Sequence, residues 1–167
     1  MNDKLDRIDL KILTVLQTEA RITNVALAER VGLSASPCLE RVKRLEKAKL
    51  VKSYGAALNI EKLIRHVYAY MEVTLESHHA EDFARFERYV TGQAEILSCS
   101  LLSGDFDYLL RVIAADVTHL HEVSERMFNA KVGVHKHFTY IVVKTVKDSN
   151  FIPLDRLQAA KRETALG

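Results

Sequence analysis

The chain has 167 residues, enough for one domain or two small ones, and its 48% hydrophobic content excludes a disordered chain and supports packed cores. Net charge is +2 but unevenly spread: residues 1–58 carry 11 Lys and Arg against 7 Asp and Glu, so the basic surplus sits in the N-terminal third. The opening Met1-Asn2-Asp3-Lys4-Leu5 lacks the apolar core of a signal peptide, no apolar run nears the ~20 residues of a membrane span, and no nucleophile elbow, phosphate loop or pair of catalytic carboxylates marks an enzyme.

Leu5, Ile8, Ile12, Leu13 and Leu16 recur at three- and four-residue spacing and predict a first helix over residues 5–18, with Asp6 and Asp9 at its positive end. Thr23 offers an N-cap between Ile22 and Leu27, the spacing of a hydrophobic staple, for a second helix over 24–31, and Gly32 supplies the left-handed residue that ends it. A third helix over 34–48 takes Ser34 as N-cap and tolerates Pro37 in its first turn. Cys38, Val42 and Leu45 form its packing face, and Ser36, Glu40, Lys43, Arg44 and Lys47 fall opposite. Two helices separated by Gly-Leu-Ser make a helix-turn-helix, and alternating residues over 50–58 are expected to form a short wing. Double-stranded DNA is the partner this module suits. Arg41, Lys43, Arg44, Lys47, Lys49 and Lys52 are expected to neutralise phosphates, and Ser36, Pro37, Glu40 and Arg44 to meet base edges behind the Ser34 cap.

Residues 59–66 form a hinge without Gly or Pro. Strict alternation from Val67 to Leu75 predicts a strand with Val67, Ala69, Met71, Val73 and Leu75 on its buried face. Phe83, Phe86 and Val90 mark a helix over 80–91, strands are expected over 96–103 and 108–114 around the turn Gly104-Asp105-Phe106-Asp107, Val117, Leu120, Val123 and Met127 mark another helix, and a long strand follows Gly133 to about residue 146. The whole is α+β: an N-terminal winged helix-turn-helix joined to a C-terminal ferredoxin-like βαββαβ domain over 67–153, with a tail over 154–167 whose Leu154, Leu157 and Lys161 suggest a short helix. The sheet face carrying Tyr68 and Tyr70 needs a cover, which predicts at least a dimer formed sheet to sheet. Cys38 and Cys99 form no CxxC pattern and read as reduced, buried thiols. Of the histidines, His135 and His137 share a strand face while His119 and His121 do not share a helix face, and with no third ligand at a recognisable spacing no metal or other cofactor is expected.

Placed in this order, the segments Leu5-Asp6-Arg7-Ile8-Asp9, Ala20-Arg21-Ile22-Thr23-Asn24, Val31-Gly32-Leu33-Ser34, Pro37-Cys38-Leu39-Glu40-Arg41-Val42 and Ser103-Gly104-Asp105-Phe106-Asp107-Tyr108-Leu109-Leu110 give the chain a strong likeness to one family. From Leu5 to about Pro153 it resembles the Lrp/AsnC amino-acid-responsive transcription regulators, specifically the leucine-responsive branch. The resemblance implies dimers that assemble further, often to an octamer of four dimers, and that wrap or bend DNA in the cytoplasm as nucleoid-associated proteins. Two positions depart from the family pattern: Lys49 stands where a Gly usually ends the recognition helix, and Leu63-Ile64-Arg65-His66 where a Gly usually precedes the effector domain.

A free amino acid presents a carboxylate, an ammonium and a side chain. Gly104 would let backbone N–H groups converge on the carboxylate, Ser103 adds a hydroxyl, and Asp105 or Asp107 can pair with the ammonium. In similar proteins this turn lines an effector site where dimers meet, which adds Leu101, Phe106, Tyr108, Tyr140, Ile141 and Val142 as candidate pocket walls. Leucine is the first expectation for the effector. Two other readings compete: an amino-acid-sensing regulatory subunit that acts through protein contacts, and an architectural DNA-binding protein without an effector.

Overall fold

The computed structural model describes residues 5–157, in the order α1 Arg7–Thr18, α2 Asn24–Val31, α3 Ala35–Lys47, a 3-10 turn Ile60–Lys62, β1 Val67–Leu75, α4 Ala80–Thr91, β2 Ile96–Leu101, β3 Tyr108–Ala114, α5 Val117–Asn129 and β4 Val134–Ile141. Two compact units result. One joins the residues up to Ala57 with those from Lys147 onward, and the other runs Leu58–Val146.

In the first unit, α1 starts at a reciprocal capping box: the Asp6 carboxylate accepts from Ile8 and Asp9 N–H, and the Asp9 carboxylate accepts from Asp6 N–H. Thr23 caps α2 by accepting from Ala26 N–H at 3.3 Å, and Gly32 ends it at φ 76°, where a Cβ would be strained. The three helices bury Ile12, Leu27, Ala28, Val31, Cys38 and Leu45 in one cluster. Truncating a side chain as enclosed as Ile12 would cost about 2–5 kcal/mol.

The second unit is a four-stranded antiparallel sheet of order β2-β3-β1-β4, the ferredoxin-like arrangement. Ala69, Met71, Val73 and Leu75 of β1 and Tyr108, Leu110, Val112 and Ala114 of β3 share a core with Phe86 and Val90 of α4 and Leu120, Val123 and Met127 of α5. Alternation therefore sends Tyr68, Tyr70 and Glu72, with Leu109, Arg111 and Ile113, to the opposite face. On β4 that face holds Phe138 and Tyr140, paired with Glu72 and Tyr70. Among the described residues no helix is long and apolar enough to cross a membrane.

Several expectations are corrected. Residues 50–58 form no strand, because among the described residues no segment supplies a ladder of hydrogen bonds. β2 ends at Leu101, before residue 103, where the chain turns away and Leu102 N–H reaches Asp107 O at 2.8 Å. β4 ends at Ile141, before residue 146: Val142 N–H still reaches Tyr68 O at 2.8 Å, but β1 begins at Val67 and offers nothing further. By packing, residues 147–153 lie with the first compact unit in this structure. There the Gln17 amide brackets the Ile152 peptide, donating to its carbonyl at 3.2 Å and accepting from its N–H at 2.7 Å. One helical turn covers 154–157, including Leu154 and Leu157, whereas Lys161 lies outside the described residues. Cys38 is buried and Cys99 only half-buried, and burial pushes both thiols up, Cys99 to about 11.

Candidate functional site

At 100° per residue, Ser36, Glu40, Lys43 and Lys47 fall within about 60° of one another on α3, opposite Cys38 and Leu45. All four are exposed, while Cys38 and Leu45 are buried. The hydrophobic spacing thus decides which polar groups can meet a partner. Ser34 takes the cap position with extended backbone, but its hydroxyl makes no capping bond; instead its carbonyl accepts from Cys38 N–H at 3.2 Å. The start of α3 is held from α2, whose Asn24 amide donates to Ala35 O at 2.8 Å. Pro37 is half-buried in the first turn.

At the other end of α3, Lys49 adopts φ 56°. Its N–H donates to Glu46 O at 2.8 Å and Leu50 N–H donates to Leu45 O at 3.1 Å, the paired bonds of a Schellman cap. The lysine occupies the left-handed position and keeps the helix end that a glycine would make. Lys49 and Lys52 are both exposed beyond it. Tyr54 follows, its hydroxyl donating to Glu46 at 2.8 Å, and burial followed by that hydrogen bond raises its pKa to about 12.

Arg41 and Arg44, expected on phosphates, turn toward α1. Arg41 donates to Asp6 at 2.6 Å and to Asp9 at 2.9 Å, and Arg44 donates to both oxygens of Asp9 at 2.6 Å. The reason is angular: position 41 lies inside the buried arc of α3 and position 44 at its edge, next to a carboxylate that is only 1% exposed. No sequence pattern pairs residues more than thirty positions apart, so this network was not foreseen. Its only trace in the sequence is the acidic pair at the start of α1, Asp6 at the cap and Asp9 in the first turn.

The turn before β3 is open. Ser103, Gly104 and Asp105 are exposed and Phe106 is half-buried. Gly104 has no positive φ, and a Cβ built there would meet nothing within 4 Å, so the conformation of the turn does not itself require glycine. Asp107 is committed: one carboxylate oxygen accepts from Leu75 N–H at 2.8 Å and the other lies 2.9 Å from His78 Nε2, whose ring stacks on Phe83. Asp105 is thus the carboxylate left facing outward. Tyr108, expected as a pocket wall, is core instead; its hydroxyl donates to Glu87 on α4 at 2.8 Å, and burial first, then that bond, raise its pKa.

The other candidate walls divide between places. Leu101 is exposed at the end of edge strand β2. Tyr140 lies on the outer sheet face, donating to Glu72 at 3.1 Å, and Ile141 pairs with Ala69 on the other face. The Asp107 N–H bonds Val73, while Tyr140, Ile141 and Val142 lie beside Tyr70, Ala69 and Tyr68. Three to five residues along β1 separate these groups, roughly 10–17 Å, so one sheet does not bring the turn and the end of β4 together. Among the described residues no group of three or more His, Cys, Asp or Glu is placed to hold a metal ion.

Comparison with known proteins finds the same two parts, with residues 147–152 counted in the second. Residues 5–52 match a winged helix-turn-helix DNA-binding family and residues 68–152 the Lrp/AsnC ligand binding domain. The chain is 44% identical to the transcriptional regulatory protein DoeX of Halomonas elongata over 86% of its own length and 91% of the relative's. It is 41% identical to the leucine-responsive regulatory protein of Haemophilus influenzae over 92% of both. A solved transcriptional regulator of Neisseria meningitidis, in complex with L-Met, superposes with a TM-score of 0.85 at 36% identity, covering 92% of this chain and 99% of that one.

Proposed function

The chain belongs to the Lrp/AsnC family of DNA-binding transcription regulators, and from that premise we propose that an amino acid held by its sheet unit sets how it engages DNA. It is a regulator and not an enzyme. The observation that carries the DNA reading is the exposed face of Ser36, Glu40, Lys43 and Lys47 on α3, opposite its packing seam. Lys43, Lys47, Lys49 and Lys52 neutralise phosphates, while Ser36 and Glu40, with Pro37 and Ser34 at the helix start, meet base edges.

The effector reading rests on the outward-facing turn Ser103 to Phe106, with Asp105 as acceptor for the ammonium and Ser103 and backbone N–H groups for the carboxylate. Because the turn and the residues Tyr140 to Val142 are apart on one sheet, a site using both is completed by a neighbouring copy. Two copies pair through the outer sheet faces, and the dimers assemble further, to an octamer of four. Ligand binding that favours one assembly shifts the population toward it, and so changes how several recognition helices register on the duplex. Leucine is the first choice, with other branched or hydrophobic amino acids, proline and methionine behind it. Relatives named as leucine-responsive and a neighbour solved with L-Met support an effector of this class. Duplex DNA as partner puts the protein in the cytoplasm, on the nucleoid.

A thermal-shift screen of the proteinogenic amino acids tests the effector. A ligand at a hundred times its Kd adds about 2.7 kcal/mol of apparent stability. With the hit in hand, Asp105→Ala is expected to abolish the ligand's effect on DNA binding and to leave unliganded binding within about twofold, an exposed surface change being worth little to the fold. An unchanged ligand response in a gel-shift titration refutes the assignment.

A further inference from the structure

Asp9 is the one acidic side chain buried in the helical unit among the described residues, 1% exposed. Both its oxygens accept from α3. Arg44 Nη2 lies 2.6 Å from each oxygen, Arg41 Nη1 lies 2.9 Å from one, and Asp6 N–H closes the set at 3.1 Å from the other. Arg41 also reaches Asp6 at 2.6 Å. Two carboxylates of α1 are thus balanced by two guanidiniums of α3.

A buried carboxylate held on its partner helix differs in kind from the apolar seam beside it. Cys38, Val42 and Leu45 set which broad face of α3 is buried, but apolar contact is non-directional and fixes the roll of the helix less finely than directional bonds do. Charge-assisted hydrogen bonds are directional, and they are shortest and strongest in one geometry. Arg41 and Arg44 lie on the same side of the seam, so their pull on Asp9 selects one rotation of α3. That rotation aims the arc of Ser36, Glu40, Lys43 and Lys47 outward.

We propose that Asp9 is a positioning residue for DNA reading: acting through Arg41 and Arg44 it sets the roll of the recognition helix, and it withdraws both arginines from phosphate neutralisation. The inference rests on the DNA-binding reading given above and adds to it which cations count and what orients the base-reading face. Phosphate contacts and base contacts separate experimentally. Each neutralised phosphate contributes about −0.9 to the slope of log K against log salt concentration, whereas misorientation of the base-reading face lowers the preference for one sequence over others.

The test uses the full chain with two duplexes, one selected by the wild-type protein from a random-sequence pool and one of scrambled sequence, titrated by fluorescence anisotropy from 50 to about 200 mM salt, the range over which phosphate contacts register. Asp9→Asn is expected to reduce the preference for the selected duplex at least tenfold with no flattening of the salt slope. Arg41→Gln and Arg44→Gln are expected to keep the wild-type slope within about 0.5, whereas Lys43→Gln or Lys47→Gln flattens it by about 0.9 for each engaged helix. Arg44→Gln removes the one nitrogen that spans both Asp9 oxygens and should also lose preference; this variant decides the matter if Asp9→Asn does not fold. A slope flattened by about 0.9 in Arg41→Gln or Arg44→Gln overturns the proposal, as does an undiminished sequence preference in Asp9→Asn or Arg44→Gln. A wild-type chain that binds neither duplex would instead refute the DNA-binding reading itself.

Discussion

Replacing Lys49 by Gly is expected to make the protein more stable and to weaken its grip on DNA. Lys49 holds φ 56°, where its Cβ crowds the following carbonyl at a cost of roughly 1–2 kcal/mol. The backbone cannot relax away, because the bonds from Lys49 N–H to Glu46 O and from Leu50 N–H to Leu45 O satisfy the last carbonyls of α3. Glycine removes the crowding but has more freedom to lose on folding, an opposing cost of about 0.4–1 kcal/mol. Midway values leave a net gain of roughly 0.8 kcal/mol, which for a unit of this size moves the melting temperature up by about 3–6 °C. Circular dichroism melts of Lys49→Gly and Lys49→Ala separate the causes, since alanine keeps the Cβ and should gain nothing. A glycine variant no more stable than the parent, or an alanine variant that gains as much, refutes the reasoning. Loss of the Lys49 charge should flatten the salt slope of DNA binding by about 0.9 if that side chain meets a phosphate, so stability and affinity move in opposite directions.

Acid exposes the capping box. The Asp9 N–H, and after it the Arg41 guanidinium, hold the Asp6 carboxyl below its ordinary value of 3.8. A depressed carboxylate contributes stability that is present above its unfolded value and lost as pH falls through the folded one. Asp6→Ala should therefore cost about 1 kcal/mol near neutrality, the usual worth of a cap, and the gap to the parent should close in melts taken below pH 3.8; a gap independent of pH counts against it. On the outer sheet face, Phe138 is 54% exposed, beside Tyr140 at 51% and diagonal to Tyr70 at 41%. If that face pairs two copies, Phe138→Asp buries an unpaired charge at the contact and should shift the chain toward monomer in light scattering at micromolar concentration. An unchanged mass would send the search for the dimer contact elsewhere.

Local rules determined most of the architecture. Thr23 and Gly32 bracket α2 at the residues expected, because a hydroxyl cap and a left-handed glycine act within a few positions of themselves. The alternation from Val67 to Leu75 set which face of β1 is buried, since the pleat leaves only two choices. The spacing of Cys38, Val42 and Leu45 likewise oriented α3 before any partner helix was known. At Lys49 the sequence marks only a departure from the family's glycine; that the lysine takes the left-handed position of a Schellman end appears in the structure.

What the sequence left open depended on groups brought together from afar. Arg41 and Arg44 carry the same charge as Lys43 and Lys47, and only the packing of α1 against α3 separates two arginines held by Asp6 and Asp9 from two lysines facing outward. Tyr108 and Tyr140 are both aromatic strand residues near the turn or the last strand, yet the register of β3 and β4 on β1 buries the first and exposes the second. Strand length depended on the partner too, for residues 50–58 have strand-like alternation and no ladder to join. Periodicity is a property of one segment and can be read from it, whereas an ion pair or a ladder belongs to two segments and exists only once tertiary structure has chosen the neighbour.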